Sequence, residues 1–172
     1  MNKKMWASSL VSLTLAAGTV LTTASQASAA SSVIYNSSYG CIGTIKRYDA
    51  MKTGVLWGCN ANADQRWTRN VELNVEGYEV FTMKNALNEC LGTWGGRTEL
   101  NTEVAAWSCN GNDDQKWFTY QPAGKTTVNI CNWKAELEGS RRCIGTRNGS
   151  VANGTDLIIW HQNSNADQQW WV

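Results

Sequence analysis

Histidine is almost missing from this 172-residue chain, and its scarcity narrows the possible chemistry. His161 is the only one, and no second kind of ligand clusters around it in the sequence, so a zinc site is not expected. A Ser-His-Asp or Cys-His triad would have to use this one residue, and the Gly-x-Ser-x-Gly nucleophile motif is absent. No glycine-rich phosphate loop follows a predicted strand. The sequence therefore predicts a binding protein without a metal ion or cofactor, not an enzyme.

Beyond its N-terminus, the chain also lacks an apolar run long enough to span a membrane. The N-terminus itself carries two lysines, an apolar run over residues 5–21, and the small-residue sequence Ala-Ser-Ala at 27–29, which export peptidases cut. No positive charge directly follows the run to stop its transfer. We therefore predict a signal peptide over residues 1–29, secretion to the extracellular space, and a mature chain of residues 30–172 that forms one domain.

A strong net charge is missing as well. The full sequence has 15 basic and 14 acidic side chains. Removing Lys3 and Lys4 with the leader leaves 13 basic against 14 acidic groups, a net charge of −1, and the longest remaining basic run is Arg141-Arg142. Bulk charge therefore disfavours nucleic acid and anionic membranes as partners.

Tryptophan and cysteine are, by contrast, abundant. Nine of the ten tryptophans and all six cysteines follow the predicted cleavage site. An even number of cysteines in an exported chain indicates disulfides rather than metal ligands or catalytic thiols. We therefore expect three disulfides and no free thiol, with some indoles in the core and others available as binding platforms.

One pattern occurs three times along the chain. Each copy opens with Cys-[Ile/Leu]-Gly-Thr and closes with Asp-Gln-x-Trp. The openers are 49 and then 53 residues apart and the closers 50 and then 53, so the units are equivalent. Repeats of this length indicate one supersecondary unit whose copies bury their apolar faces against each other. The openers start at Cys41, Cys90 and Cys143, the closers start at Asp64, Asp114 and Asp167, and the units span about residues 33–79, 80–125 and 126–172.

Aligning the repeats suggests how the cysteines pair. In the first two units a second cysteine lies two residues after a central tryptophan, whereas the third unit has Gln162 there. The third unit has its extra cysteine upstream of its opener, across an insertion of about six residues. Six cysteines allow fifteen connectivities, and the sequence does not choose among them. The simplest pairing is Cys41 with Cys59, Cys90 with Cys109, and Cys131 with Cys143.

Short segments rich in β-branched and aromatic residues recur between Gly, Asn, Asp and Ser turns, which is typical of strands. No window carries a long helical stripe with caps, and only Glu89 and residues 134–138 could form a helical turn. These features predict an all-β fold of three short-stranded units, closed on itself so that no long sheet edge is exposed. The predicted strands are residues 33–35, 55–57, 78–83, 104–107, 117–120, 128–130 and 157–160.

Three units of this length, with a Cys opener, a Trp-x-Cys centre and a Gln-x-Trp closer, resemble the ricin B-chain family of β-trefoil lectins and the matching carbohydrate-binding modules of secreted bacterial enzymes. The likeness extends from about residue 33 to residue 172. It implies a β-trefoil with internal threefold pseudo-symmetry, in which each unit supplies two strands to a six-stranded barrel and two to a hairpin cap. A fold alone does not supply a function.

The resemblance also implies where a sugar would bind. An active repeat of the family carries an Asp two residues after the opening Cys, a Gln two residues before the central aromatic, that aromatic, and an Asn-Gln pair at the closer. A carboxylate, amides and an aromatic plate match the hydroxyls and the C–H face of a sugar. Here the carboxylate position holds Gly43, Gly92 and Gly145, and the first Gln position holds Val55, Ala105 and Ile158. The retained candidates for a carbohydrate site are Trp57, Trp107 and Trp160 at the centre, Asp64, Asp114 and Asp167 at the closer, and Gln65, Gln115 and Gln168 beside them.

Two interpretations of this incomplete pattern remain open. In the first, the closing aspartates take over the carboxylate role in a shifted pocket. This predicts a secreted protein with degenerate, weak sites that binds a glycan or polysaccharide through up to three repeats at once. In the second, the surface binds a secreted protein, as in a subunit of a toxin complex or an inhibitor of an extracellular enzyme.

Other tryptophans have separate expectations. Because a large aromatic residue that recurs at a repeat period is usually buried, the closing Trp67, Trp117 and Trp170 are expected in the core. Trp94, in a glycine-rich loop of the second unit, and Trp133, in the insertion of the third, are further surface candidates. For both, a cap folded back onto the barrel is the alternative.

Overall fold

The computed structural model describes residues 30–47 and 51–172, and in that part of the chain it contains twelve β-strands and one short α-helix. The predicted leader, residues 1–29, lies outside the described residues. The first four strands are β1 (Tyr35–Asn36), β2 (Gly40–Lys46), β3 (Lys52–Gly58) and β4 (Trp67–Val75). The next four are β5 (Tyr78–Asn85), β6 (Glu89–Thr93), β7 (Val104–Ser108) and β8 (Lys116–Tyr120). The last four are β9 (Asn129–Asn132), β10 (Arg142–Thr146), β11 (Thr155–His161) and β12 (Trp170–Trp171), and α1 (Trp133–Leu137) lies between β9 and β10.

The twelve strands fall into three groups of four, β1–β4, β5–β8 and β9–β12. The first and last strand of each group together form a closed barrel of six strands. β1 pairs with β12, β4 with β5, β5 with β8, and β8 with β9, all antiparallel. The ring is completed by two isolated bridges, Ser32 with Trp67 and Val128 with Trp170. Because the barrel closes on itself, its strands leave no long bare edge.

The two middle strands of each group form a hairpin, and the three hairpins together cap one end of the barrel. The hairpins are β2 with β3, β6 with β7, and β10 with β11. They also contact each other in a ring, through β3 with β7, β11 with β3, and a bridge between Glu103 and Ile158. This architecture confirms the all-β, β-trefoil prediction.

A buried indole from each unit fills the centre of the core. The Nε1–H of each closing tryptophan donates a hydrogen bond of 2.8–3.0 Å to the backbone carbonyl of a residue in its own opener strand. The pairs are Trp67 with Ile42, Trp117 with Leu91, and Trp170 with Ile144, and all six side chains are buried. The expectation that the closing tryptophans are core residues is confirmed, and each buried indole N–H has the partner it requires.

A smaller apolar cluster lies beneath the insertion of the third unit. Trp133 opens α1, is only 7% exposed, and packs edge-on against Phe118 with ring centroids 5.9 Å apart. The side chain of Asn132 caps the helix by accepting a hydrogen bond from the backbone N–H of Ala135. Of the two interpretations of Trp133, the surface position was wrong and the cap folded back onto the barrel is confirmed.

The three disulfides are Cys41–Cys59, Cys90–Cys109 and Cys131–Cys143. The simplest pairing from the repeat alignment is therefore confirmed, and all six cysteines are bonded. The first two bridges each tie the start of a cap hairpin to the residue after its end, whereas the third joins β9 to β10 across α1. No helix in the described part of the chain is long and apolar enough to cross a membrane.

All seven predicted strands overlap a strand of the structure, and the helical turn predicted over residues 134–138 is confirmed as α1. The other predicted helical turn was wrong, because Glu89 begins β6 and pairs with Ser108. The sequence prediction missed β4, β12 and the opener strands β2, β6 and β10. Each opener strand has a central glycine, which weakens the local β signal, and each is formed by pairing within its hairpin.

Candidate functional site

The two positions that have lost the polar residues of the family pattern face each other across the cap hairpin. In each unit the opener glycine is directly opposite the residue that replaces the family glutamine. The pairs are Gly43 with Val55, Gly92 with Ala105, and Gly145 with Ile158, and the three apolar side chains are buried. This part of each unit is therefore apolar and contributes no hydrogen-bonding side chain to a ligand.

A polar turn follows each hairpin and has the same construction three times. Its sequence is Asn-x-Asn-x-Asp-Gln-x-Trp, starting at residues 60, 110 and 163. The side-chain oxygen of the first Asn accepts from the backbone N–H of the second, at 2.8–3.0 Å. Such an Asx turn fixes the direction in which the following carboxylate leaves the backbone.

The closing glutamine holds this turn in place. In the third unit Gln168 accepts from the backbone N–H of Asn163 at 3.1 Å and donates to the carbonyl of His161 at 2.8 Å. Gln65 and Gln115 make the equivalent pair of bonds, and all three side chains are buried. Both ends of each amide are thus bonded to the protein, which makes the glutamine a support for the turn.

In the first and third units the closing carboxylate occupies the space in front of the opener glycine. A Cβ atom added at Gly43 would lie 3.1 Å from Oδ2 of Asp64, and one added at Gly145 would lie 2.8 Å from Oδ2 of Asp167. The same oxygens accept hydrogen bonds from the backbone N–H of Thr44, at 3.2 Å, and of Thr146, at 3.4 Å. The carboxylate of the family pattern is absent from the opener, but a carboxylate from the closer lies in its place.

The second unit is arranged differently. A Cβ atom added at Gly92 would lie 2.4 Å from Cη2 of Trp107, so the indole lies over the opener glycine. Asp114 is only 6% exposed. Burial raises the pKa of its carboxyl above the usual value, and the nearby Lys134 ammonium opposes this shift.

The inserted helix of the third unit covers this second site. The ammonium of Lys134 donates to the carbonyl of Gly96 at 2.5 Å, and the side chain of Asn132 donates to the carbonyl of Asp114 at 3.0 Å. Glu138, directly after the helix, accepts a hydrogen bond from the hydroxyl of Thr98. Asp114 is therefore packed beneath contacts from a neighbouring unit, whereas Trp107 lies over Gly92 and is partly exposed.

The third unit has an open cleft of about 380 Å³. Its wall includes the indole of Trp160, which is 40% exposed, and the carboxylate of Asp167. The cleft is also lined by Thr146 and by four asparagines, Asn101, Asn148, Asn163 and Asn165. Sequence analysis missed these asparagines, although the repeated Asn-x-Asn turn carried a signal for Asn163 and Asn165.

The first unit presents the same pair of groups beside a neighbouring loop. Trp57 is 39% exposed, and a Cβ atom added at Gly154 would lie 3.0 Å from its ring. Gly154 has a φ of 83°, which suits glycine and lets this turn of the third unit approach the indole. The side-chain oxygen of Asn153 accepts a hydrogen bond from the backbone N–H of Gly58, so the turn is fixed against the Trp57 hairpin.

A second cleft, of about 600 Å³, borders the loop between β6 and β7. It is lined by Trp94, Arg97 and residues 99–103. Trp94 is partly buried at the start of a tight turn in which Gly95 and Gly96 have φ values of 63° and 69°. Asn101 lines both this cleft and the cleft of the third unit.

Comparison with known proteins gives the same fold. A model of the ricin-type β-trefoil lectin domain matches residues 30–170. No curated protein sequence matches the chain significantly. The designed threefold-symmetric protein ThreeFoil superposes with a TM-score of 0.68 at 16% identity, over 80% of this chain and 94% of that protein.

Two structures of natural proteins superpose with similar TM-scores. The ricin B-like lectin of Macrolepiota procera, in complex with lactose, has a TM-score of 0.63 at 17% identity, over 83% of this chain and 94% of the lectin. A chain of the cytolethal distending toxin of Haemophilus ducreyi has a TM-score of 0.61 at 13% identity, over 86% of this chain and 84% of its own length. At these identities the similarity shows the fold alone.

Proposed function

The chain belongs to the ricin-type β-trefoil lectin family, and we propose that it is a secreted carbohydrate-binding protein whose principal site is the third-unit cleft. Domains of this family bind carbohydrate and are typically not enzymes. The observation that supports the proposal is the presence of an exposed indole, Trp160, and a carboxylate, Asp167, in one cleft with four amide side chains.

The chemistry of this cleft suits a sugar. One face of a pyranose ring is a plate of C–H bonds, which packs against an indole, and its hydroxyls both donate and accept hydrogen bonds. A carboxylate accepts two such bonds, whereas an amide both donates and accepts. In this proposal the Trp160 ring contacts the apolar face while Asp167, Asn163 and Asn165 bind hydroxyls.

The carboxylate that binds the sugar is supplied by the closer and not by the opener. One oxygen of Asp167 accepts from the backbone N–H of Thr146 and is held 2.8 Å from the position of a Cβ at Gly145. We assign the other oxygen, Oδ1, to the ligand. Because the family's opener Asp and first Gln are both replaced, the site has fewer polar contacts than the family pattern, and weak binding is expected.

Two units carry this function, and the second does not. Trp57 and Asp64 of the first unit repeat the third-unit arrangement. In the second unit Asp114 is buried beneath the inserted segment and the Trp107 ring lies over Gly92. A protein with two weak sites gains affinity for a repeating glycan by engaging both at once, provided that the spacing of the epitopes allows it. This narrows the sequence-based expectation of up to three active repeats.

Secretion is supported by two independent features. Residues 1–29 have the lysines, apolar run and Ala-Ser-Ala ending of an export signal. The mature chain has three disulfides, which form and persist outside reducing compartments. Expression of the full chain in an exporting host, followed by intact-mass measurement of protein from the medium, tests this. The expected mass is that of a chain whose first residue is Ala30.

The binding proposal is tested with a glycan array and with isothermal titration of the best ligand. Trp160→Ala and Asp167→Asn are each expected to weaken binding by about tenfold or more, equal to about 1.4 kcal/mol. Asp114→Asn is a matched control, because it makes the same chemical change in the closed unit and is expected to leave affinity unchanged. Absence of binding by the wild type at millimolar glycan, or equal binding by wild type and Trp160→Ala, would contradict the proposal.

A protein-binding role is the second candidate, and an aromatic pair on the barrel favours it. Tyr35 and Trp171 are directly opposite each other on β1 and β12 and are 43% and 48% exposed. Exposed aromatic residues are enriched at protein interfaces. In this alternative the chain co-purifies with one protein from culture medium, and that protein no longer co-purifies with a Tyr35→Ser, Trp171→Ser variant. Recovery as a lone monomer in every preparation would count against this role.

A further inference from the structure

The cleft of the third unit and the larger cleft beside the β6–β7 loop meet at Asn101. We infer that the two clefts form one extended site, which binds a saccharide chain of several units in preference to a single sugar. The inference rests on the proposed function, because it adds a second group of contacts to the same ligand. Each volume, about 380 Å³ and about 600 Å³, is within the range of small-molecule sites, about 300–1,000 Å³.

The boundary between the clefts is firmly attached to the third unit. The backbone N–H of Asn101 donates to the carbonyl of Ile159 at 3.0 Å, and the N–H of Ile159 donates to the carbonyl of Thr102 at 2.9 Å. Through these two bonds, a short segment of the second unit pairs with β11 of the third unit. Because Ile159 directly precedes Trp160, the loop is fixed next to the indole of the third-unit cleft.

Arg147 holds the side chains at this boundary. Its guanidinium donates to Oδ1 of Asn101 at 3.0 Å, to Oε1 of Glu103 at 3.1 Å, and to Oδ2 of Asp156 at 3.4 Å. With its oxygen occupied by Arg147, the Asn101 amide offers its N–H groups to a ligand oxygen. An ordered amide needs little further immobilisation when it binds, so it supports affinity at low entropic cost.

The second cleft contains a second set of sugar-binding chemistry. Trp94 supplies an indole, and Glu99 and Arg97 are exposed on the same loop. An indole with charged hydrogen-bonding groups can contact the C–H face and the hydroxyls of another pyranose. The ligand that this arrangement fits is an oligosaccharide with one unit on Trp160, a linking unit at Asn101, and further units towards Trp94.

Nuclear magnetic resonance of the full mature chain tests this directly. The probes are xylo-, cello- and β-1,3-galacto-oligosaccharides of one to six units, and the readout is the indole N–H resonances of Trp94 and Trp160, assigned with Trp94→Phe and Trp160→Phe. In the series that binds, the single sugar is expected to shift only Trp160. The longest member is expected to shift both and to bind about tenfold more tightly.

Variants separate the extended site from the principal one. Trp94→Ala and Glu99→Ala, the latter at an exposed position, are each expected to reduce the affinity for the longest member towards that of the single sugar. Both are expected to leave the affinity for the single sugar unchanged. Trp171→Ala, at an exposed strand residue that lines neither cleft, is the control for changes in folding.

Each other outcome counts against the inference in a recognisable way. Equal affinity for one unit and six units, with Trp94 unshifted, overturns the extended site and leaves the proposed function standing. A shift of Trp94 without Trp160 overturns the continuity of the two clefts. No shift of either indole by these probes overturns the extended site, and no shift by the best glycan-array ligand at millimolar concentration also overturns the proposed function.

Discussion

Oδ2 of Asp167 lies 2.8 Å from the position that a Cβ atom at Gly145 would occupy. The side chain missing from the opener and the carboxylate present at the closer therefore use the same space. The relationship recurs between Gly43 and Asp64, at 3.1 Å. These two units therefore keep a carboxylate in front of the hairpin although the opener no longer supplies one.

Restoring the family carboxylate at the opener is expected to fail because of this relationship. Gly145→Asp places a side chain against Asp167 and two like charges in contact, and we expect it to lower the free energy of unfolding by about 1–3 kcal/mol. Urea denaturation measures the change. The double variant Gly145→Asp, Asp167→Gly removes the contact between the two carboxylates but leaves Cγ of Gln168 3.0 Å from the Cβ position, so it is expected to recover part of the loss. Equal destabilisation of the single and double variants would contradict the account.

Removing the support of the polar turn should affect both stability and binding. Gln168→Ala removes the acceptor for the N–H of Asn163 and one of the two side-chain donors to the carbonyl of His161, which keeps a 3.4 Å bond from Asn163. Each lost bond costs about 0.5–1.5 kcal/mol and the fully buried side chain leaves a space, so we expect a loss of about 2–4 kcal/mol and weaker glycan binding. Gln121→Ala, which removes an exposed glutamine bonded to Lys125, is the control. A Gln168→Ala protein as stable as this control would show that the two bonds do not stabilise the turn.

Replacing a closing tryptophan is expected to lower the free energy of unfolding much more than replacing an exposed tryptophan. Trp117→Phe removes the indole N–H that donates to Leu91 at 2.8 Å and leaves a space in the core. We expect it to cost about 2–4 kcal/mol, the sum of a lost buried hydrogen bond and a cavity. Trp171→Phe, at an exposed position, should change stability by less than about 0.5 kcal/mol. Thermal melting of the two variants makes the comparison, and similar melting temperatures would refute it.

The disulfides are expected to open in a fixed order under mild reduction. Cys59 and Cys109 are exposed, whereas both cysteines of the Cys131–Cys143 bridge are fully buried. Because exchange requires access of a thiolate to sulfur, the first two bridges should be reduced before the third. Mass spectrometry after timed alkylation gives the order. Denatured, unreduced protein should show no free thiol, and early loss of the Cys131–Cys143 bridge would contradict the prediction.

Each bridge should also contribute to stability. Loops closed by sequence separations of 18, 19 and 12 residues each correspond to about 3 kcal/mol in the chain-entropy estimate. Replacing one pair by alanine, for example Cys41→Ala with Cys59→Ala, should lower the free energy of unfolding by about this amount in urea denaturation.

The buried carboxyl of the second unit should make stability depend on pH. Burial raises the pKa of Asp114 in the folded state, so the folded protein holds this proton more tightly than the unfolded chain. The carboxyl therefore lowers stability as pH rises from its unfolded pKa, about 3.9, through its higher folded value, and the full penalty is present at neutral pH. Asp114→Asn removes the charge, and we expect it to raise the melting temperature at pH 7 and to have less effect near pH 3. The reverse dependence on pH would exclude burial as the dominant cause.

Repeat spacing accounts for most of what could be predicted. The three closers identified the buried Trp67, Trp117 and Trp170, because an aromatic residue at a fixed repeat position must occupy the same place in every unit. The same alignment gave the simplest cysteine pairing, because Cys59 and Cys109 are equivalent and Gln162 replaces them in the third unit, and the structure chose that pairing among the fifteen. The opener strands were missed because their central glycines weaken local propensity, and their pairing across the hairpin is a property of the assembled unit.

The differences between the units could not be predicted in the same way. Aligned residues gave Trp57, Trp107 and Trp160 equal status, yet the structure differs between the units. The first and third indoles are 39% and 40% exposed, whereas the second lies over its opener glycine beside the buried Asp114. The cause is an insertion in the third unit, whose Lys134 and Asn132 contact the second. Asn101, on the second unit, likewise lines the cleft of the third. Contacts between units are not visible in an alignment of one unit with another.

By itself, the sequence determined the all-β class, the threefold repeat, the core tryptophans and the simplest cysteine pairing, because these properties depend on residues that recur at equivalent positions. Only the tertiary structure decided which site is open, where the carboxylate lies, and which loops share a cleft. Those features depend on contacts between residues that are far apart in the chain, such as Asp167 with Gly145 and Lys134 with Gly96. These contacts differ from one unit to another.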